Sequence, residues 1–209
     1  MIAERAGRFD EARAWYLDAL RVKPGFANAY YNLAHVATIE GKTDEAIANY
    51  ERAIQIDTNH DEAMTNLGYL FAERGNTAAA VTLFSRALQV NPYAARAHIG
   101  LGNIHLDADR FDQAMQEFTK AAALQPRNPV LRNNMGIALA SKGRLDDAER
   151  EFRASLTIKP DHVDALLNLG IVRAKRGDVA GARQLLSRAL ALDPQNAKAR
   201  NQLDALKAR

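Results

Sequence analysis

The chain has 209 residues, of which 47% are hydrophobic and 25% charged, with a formal net charge of +3 and no cysteine. This is the composition of an ordinary globular protein. It excludes disulfides, thiolate metal sites and thiol catalysis, and the charge is too small to argue for a nucleic-acid partner. The longer apolar runs are broken within a turn or two by Arg, Lys, Asp or Gln, so no segment reads as a membrane span. The first residues, MIAERAGRFDEA, carry charges throughout and no apolar signal core. The expectation is a soluble chain, cytoplasmic rather than exported.

In chain order the dominant signal is a period of 34 residues. Prolines stand at Pro24, Pro92, Pro126, Pro160 and Pro194, with Thr58 at the skipped position. Ala12, Ala46, Ala80, Ala114, Ala148 and Ala182 keep the period without exception. Four residues after each comes a ring or a leucine: Tyr16, Tyr50, Phe84, Phe118, Phe152 and Leu186. Three further on lies a small residue: Ala19, Ala53, Ala87, Ala121, Ser155 and Ala189. Spacings of four and three place these on one helix face.

A second helix pattern precedes this one in each period. Leu33, Leu67, Leu101, Met135 and Leu169 are each followed by Ala34, Gly68, Gly102, Gly136 or Gly170. Glycine inside a helix costs about 1 kcal/mol relative to alanine. Its recurrence predicts that a neighbouring helix approaches closely there. Gly7, Gly41, Gly75, Gly143 and Gly177 mark the turn between the two helices, with Asp109 as the departure. Acid follows at Asp10–Glu11, Asp44–Glu45, Asp112 and Asp146–Asp147, where the dipole of the second helix favours it. Asn128–Pro129 reads as N-cap plus first helical residue.

A 34-residue helix–turn–helix with these positions resembles the tetratricopeptide repeat. The resemblance implies an all-α, right-handed α–α solenoid. Whole units span residues 27–60, 61–94, 95–128, 129–162 and 163–196. Residues 1–26 supply a partial unit, mainly its second helix, and 197–209 a C-terminal capping helix. The cap has Asp204 where inner units have Gly or Ala, with Arg200, Lys207 and Arg209 around it, as a polar outer face requires. The N-terminal edge has no such cap, so the ring face of Trp15, Tyr16 and Leu20 is expected to be poorly covered. Either the chain is a fragment of a longer solenoid or that edge pairs with something, a second copy included.

No phosphate loop, nucleophile elbow or zinc-ligand cluster appears. His98 and His105 lie seven residues apart on one helix, a spacing that suits helix packing better than metal ligation. His60 and His162 read as solvated junction residues. No metal or cofactor is expected. An RNA-binding reading fails too: the second position of each unit runs Asn28, Glu62, Arg96, Val130, Asp164 and Lys198, which makes no phosphate track.

The resemblance implies that first helices line a concave wall where peptides bind, and that residues one before the recurrent Leu or Met point into it. These are Asn32, Asn66, Gly100, Asn134 and Asn168, with Gln202 in the cap. Asparagine is unfavourable inside a helix, and a carboxamide can pair with both the C=O and the N–H of an extended peptide. The series resembles the asparagine ladder in the repeat arm of O-linked N-acetylglucosamine transferases. It departs at Gly100, where Asn103 one turn later would partly compensate, and Asn133 and Asn201 add amides nearby. Tyr31, His35, Tyr69 and Arg96 would add side-chain preference. The other reading is that the amides are solvated or join adjacent helices. The carboxylate clamp of heat-shock co-chaperones is not expected, because Tyr31, His35 and Gly100 stand where its basic and amide residues belong.

The expected function is therefore a non-enzymatic scaffold that binds an extended peptide segment of a protein partner. The alternatives are the substrate-recognition arm of a larger enzyme such as a glycosyltransferase, and a self-associating assembly module.

Overall fold

Every periodic segment of the sequence becomes a helix. The computed structural model describes residues 9–207, and among them there are twelve α-helices and no strand. The helices are α1 (Phe9–Val22), α2 (Ala27–Ile39), α3 (Thr43–Ile56), α4 (Asp61–Glu73), α5 (Thr77–Val90), α6 (Ala95–Asp107), α7 (Phe111–Leu124), α8 (Pro129–Ser141), α9 (Leu145–Ile158), α10 (Val163–Lys175), α11 (Val179–Leu192) and α12 (Ala197–Lys207). First helices begin every 34 residues from Ala27, and second helices every 34 from Thr43. The fold is an all-α helical-repeat solenoid. Gly7 and Arg209, and with them the ends of the partial first unit and of the cap, lie outside the described residues.

Local chemistry sets the helix ends. Asn76, Asn128 and Asp178 cap their helices by accepting from the amides of Ala79 (3.2 Å), Leu131 (3.1 Å) and Gly181 (2.9 Å), each satisfying one free N–H of the first turn. Pro129 occupies the first helical turn behind Asn128. The turns between paired helices pass through left-handed backbone at Gly41, Gly75, Gly143 and Gly177 (φ +72° to +84°). Asp109 takes the same turn with φ +55°. The second helix ends two residues before each recurrent proline, and it does so equally before Thr58. The turn therefore does not depend on proline.

The structure divides into two units, one through Gly100 and one from Leu101, with α6 running across the division. In the first, α1 to α5 pack each on the next; in the second, α7 to α12 do the same, and α10 also touches α8 and α12. In each pair the ring of the second helix lies under the small residue of the first. A Cβ on Gly68 would come 2.8 Å from Phe84, on Gly136 2.5 Å from Phe152, and on Gly170 2.9 Å from Leu186. Tyr50, Phe84, Phe118 and Phe152 are fully buried, with the small residues on either side of them, alanine in all cases but Ser155. The glycines are thus the space the rings occupy, as the small residue after each Leu predicted.

Two expectations about histidine are corrected. His60 and His162 are buried, not solvated. His60 caps α4 through Nδ1 on the Ala63 amide (3.4 Å), with its ring 4.8 Å from that of Tyr31. His162 Nδ1 lies 2.7 Å from Ser155 Oγ, which donates to the Pro129 carbonyl (2.8 Å). A hydroxyl has one hydrogen, so with that hydrogen on Pro129 the imidazole N–H donates to Ser155. The period hid this because each junction histidine folds back on residues of its own unit, His60 on Tyr31 and His162 on Ser155. His98 is buried and its Nε2 donates to the Pro92 carbonyl (3.1 Å).

At the edges, Trp15 (55% exposed) and Val22 (88%) stand out from α1, and Tyr16 is only half-buried where its counterparts are fully covered. In α12, Ala199 and Leu206 pack into the core with Leu166, Leu186 and Ala189, while Lys198, Arg200 and Asp204 are exposed. No described helix is long and apolar enough to cross a membrane.

Candidate functional site

The first helices carry the polar groups singled out in the sequence. In the first unit they form one connected cluster. Asn66, on α4, is buried, and its Nδ2 donates to the Tyr31 hydroxyl (3.3 Å). Its Oδ1 accepts from Arg96 Nη1 (2.7 Å). Arginine can only donate, so it fixes the orientation of the carboxamide. The Arg96 guanidinium lies over the Tyr69 ring at 5.1 Å, and the Tyr69 hydroxyl donates to the Arg96 carbonyl (2.7 Å). Cation–π contact of this kind holds a guanidinium in place while leaving its remaining N–H groups open. Burial pushes the Tyr69 phenol up to about 12, and the Arg96 charge offsets part of that rise. Burial likewise raises Tyr50, which lies beside the same cluster. Tyr31 packs against Tyr50 (5.8 Å between rings) as well as His60.

Asn32 is half-buried and its side chain makes no hydrogen bond among the described residues, and His35 is exposed. The gap at Gly100 has a steric cause. A Cβ there would lie 2.4 Å from Phe84 Cζ, because the Phe84 ring is held between Gly100 and Gly68. No side chain of any kind fits at that position without moving the ring.

In the second unit the amides bond to one another. Asn168 Nδ2 donates to Asn133 Oδ1 (3.0 Å), Asn133 Nδ2 to Asn134 Oδ1 (3.4 Å), and Asn134 Nδ2 to Asn103 Oδ1 (2.8 Å). Asn133 is buried, whereas Asn103, Asn134 and Asn168 are half-exposed. Each carboxamide has two N–H donors and an acceptor oxygen with two lone pairs, so the half-exposed members keep capacity that the chain of amides does not use. Beside Asn168 lies a hollow of about 130 Å³ between α8 and α10, lined by Ile137, Ala140, Ser141, Phe152, Ile171, Val172 and Lys175.

The structure thus brings together Tyr31, Asn66, Tyr69 and Arg96 in one unit, and Asn103, Asn134 and Asn168 in the other. It leaves Asn32 and His35 apart from these clusters. Sequence reasoning placed Asn133 near the ladder and missed its part as the amide that joins two others. It also missed the hollow. The signal was present, because Ile171, Val172 and Lys175 stand three, four and seven residues after Asn168, on the same helix face. Among the described residues no three His, Asp or Glu converge as a metal site would require.

The chain matches a family profile described as Cilia and flagella-associated protein 70 C-terminal domain over residues 25–209, and a tetratricopeptide-repeat profile over residues 5–37. No curated protein matches it in sequence. The crystal structure of the APC/C hetero-tetramer Cut9–Hcn1 superposes with a TM-score of 0.88 at 20% identity, over 98% of this chain. The chain spans 41% of the length of that one. PilW, a type IV pilus biogenesis factor, gives 0.83 at 22% identity, over 97% of this chain and 94% of its own. YrrB, described as having an unusual peptide-binding site, gives 0.68 at 23% identity, over 89% of this chain and 96% of its own. At such identities the likeness establishes the fold.

Proposed function

We propose, from the premise that this chain belongs to the tetratricopeptide-repeat family described as Cilia and flagella-associated protein 70 C-terminal domain, that it is a non-enzymatic scaffold holding an extended peptide segment of a partner protein along its first helices. The repeats at residues 27–60, 61–94, 95–128, 129–162 and 163–196 are its binding units, with the partial unit 1–26 and the cap 197–209 at its ends. The observation that carries the reading is the set of half-exposed carboxamides on first helices: Asn32 without an internal partner, and Asn103, Asn134 and Asn168 with donors and lone pairs to spare. An extended backbone offers a C=O and an N–H at every residue and rises about 3.3 Å per residue. Helices packed about 8–10 Å apart meet it about every third residue. Contacts of this kind read backbone and tolerate many sequences. Tyr31, His35, Tyr69 and Arg96 give the first unit its preference, with Arg96 drawing acidic groups and Asn66 holding Arg96 in place. The likeness in fold to YrrB is in keeping with peptide binding.

The test is binding of a degenerate peptide array by the purified chain. Replacing Asn134 and Asn168 by alanine removes two hydrogen bonds worth about 0.5–1.5 kcal/mol each, so affinity for selected peptides should fall about fivefold to a hundredfold. Undiminished binding by the variant lacking Asn32, Asn134 and Asn168 together would refute the proposal. Asn66 is left intact in that variant because truncating it also releases Arg96.

A second reading, self-association, is favoured by Trp15, Leu17 and Val22, which stand exposed on α1. Light scattering that shows a concentration-dependent mass, lost in Trp15→Arg, would support it.

A further inference from the structure

The hollow beside Asn168 is apolar at its centre and polar at its two ends. Ile137 of α8 and Ile171 and Val172 of α10 form the middle, the Asn168 carboxamide one end and the Lys175 ammonium the other. We infer that this hollow is a side-chain subsite of the bound peptide: it takes one small aliphatic residue, of valine to leucine size, and Lys175 pairs with an acidic residue two positions away. The inference rests on the peptide-binding reading above and gives it a sequence preference.

Size sets the first half. A protein cavity of about 150 Å³ lined by aliphatic and aromatic side chains holds one benzene molecule. The present hollow, about 130 Å³ and open on one side, accepts a branched aliphatic group. It opens between two first helices, so a chain crossing from α8 to α10 can fill it from the exposed side. The adjoining Asn168 amide gives such a chain a backbone anchor, with an oxygen and an N–H beyond those used on Asn133.

Charge sets the second half. Lys175 is exposed and forms no ion pair among the described residues, unlike Arg173 and Arg176, which pair with Glu149. Asn168 and Lys175 are seven residues apart on α10, about 10 Å along its axis. The aliphatic residue sits between them, about 5 Å from either level. In an extended peptide alternate side chains face the same side, about 6.6 Å apart. The residue two positions from the aliphatic one therefore faces the helices as well, within reach of the long Lys175 side chain. A lysine in the last turn also complements the helix dipole, and the charge reversal below separates the two roles.

The experiment is a positional heptapeptide library probed with the full chain as wild type, Lys175→Glu, Ala140→Leu and the Asn134→Ala/Asn168→Ala double variant. The wild type should enrich Val, Leu or Ile at one position and Asp or Glu two positions from it. Lys175→Glu should replace the acidic preference by Lys or Arg and keep the aliphatic one. Ala140→Leu, which fills the hollow, should weaken the selected peptide about tenfold or more. A thermal melt shows whether that variant is folded, and if it is not, Lys175→Glu decides. Peptides whose binding needs Asn134 and Asn168 but shows no aliphatic preference, or keeps its acidic preference in Lys175→Glu, overturn this inference and leave peptide binding intact. Enrichment of no peptide at all overturns both.

Discussion

Asp109 turns through φ +55° where four other inter-helix turns use glycine. Aspartate tolerates left-handed backbone better than most residues, but its Cβ still meets a steric cost that glycine avoids. The gain from glycine exceeds the entropy it adds to the unfolded chain. Asp109→Gly should therefore raise stability by about 0.5–1 kcal/mol in a urea melt. Gly100 presents the opposite case. Restoring the asparagine that the series lacks puts a Cβ into the Phe84 ring, and Gly100→Asn should cost about 1–3 kcal/mol. Phe84→Leu in the same chain should recover part of it, since Leu186 fits under Gly170 with more room. His162 carries a pH dependence. Burial lowers its imidazole below the ordinary value. The unfolded chain, titrating near 6.5, then binds more protons than the folded one just below that pH. The contribution of His162 is complete above about pH 6.5 and is lost as the pH falls through its folded value. His162→Asn, which places there the residue found at the matching caps Asn128 and Asn196, should flatten the stability profile below pH 6.5 in melts taken across that range.

Between elements, acid at the start of a second helix meets a base at the end of the next first helix. Asp44 pairs with Arg74, Asp112 with Lys142, and Asp146 with Arg176, each 30 residues on. These carboxylates are exposed, and such pairs contribute about 0–1 kcal/mol. Glu149 differs: its side chain is mostly buried and it meets Arg153 (2.9 Å), Arg173 (3.3 Å) and Arg176 (2.6 Å). Removing its charge leaves three guanidinium groups without a shared partner. Glu149→Gln should cost about 1–2 kcal/mol against about 0.5 kcal/mol or less for Asp112→Asn, with the latter vanishing in 1 M salt. The acid was legible in the sequence as a dipole partner. Its cation was not, because the pairing depends on how one helix pair sits on the next.

At the scale of the chain, the described helices of each unit pack on those next to them in sequence, so stability is approximately a sum of local interfaces. Phe152 is fully buried between α9 and the first helices it supports. Phe152→Ala should cost about 3–5 kcal/mol. Its loss of hydrogen-exchange protection should concentrate in α8 to α11 of the second unit and leave α2 to α4 protected. Equal loss in α2 to α4 would mean that the chain unfolds as one block.

The sequence by itself determined the repeat, the helix pairing and the framework. Those residues answer to local rules that recur every 34 positions: a small residue where a ring must fit, a glycine where the backbone turns left-handed, an acid at a helix start. It also marked the asparagines as unusual, because amides are unfavourable inside helices. Only the tertiary structure decided what those amides do. Asn66 is held between Tyr31 and Arg96, and Asn133 joins Asn134 to Asn168, across separations of 30 to 35 residues except for the adjacent pair Asn133 and Asn134. Whether an amide faces a partner helix or open space depends on a few ångströms of helix placement. Periodicity carries no record of that distance, nor of the hollow beside Asn168 that the same placement leaves open.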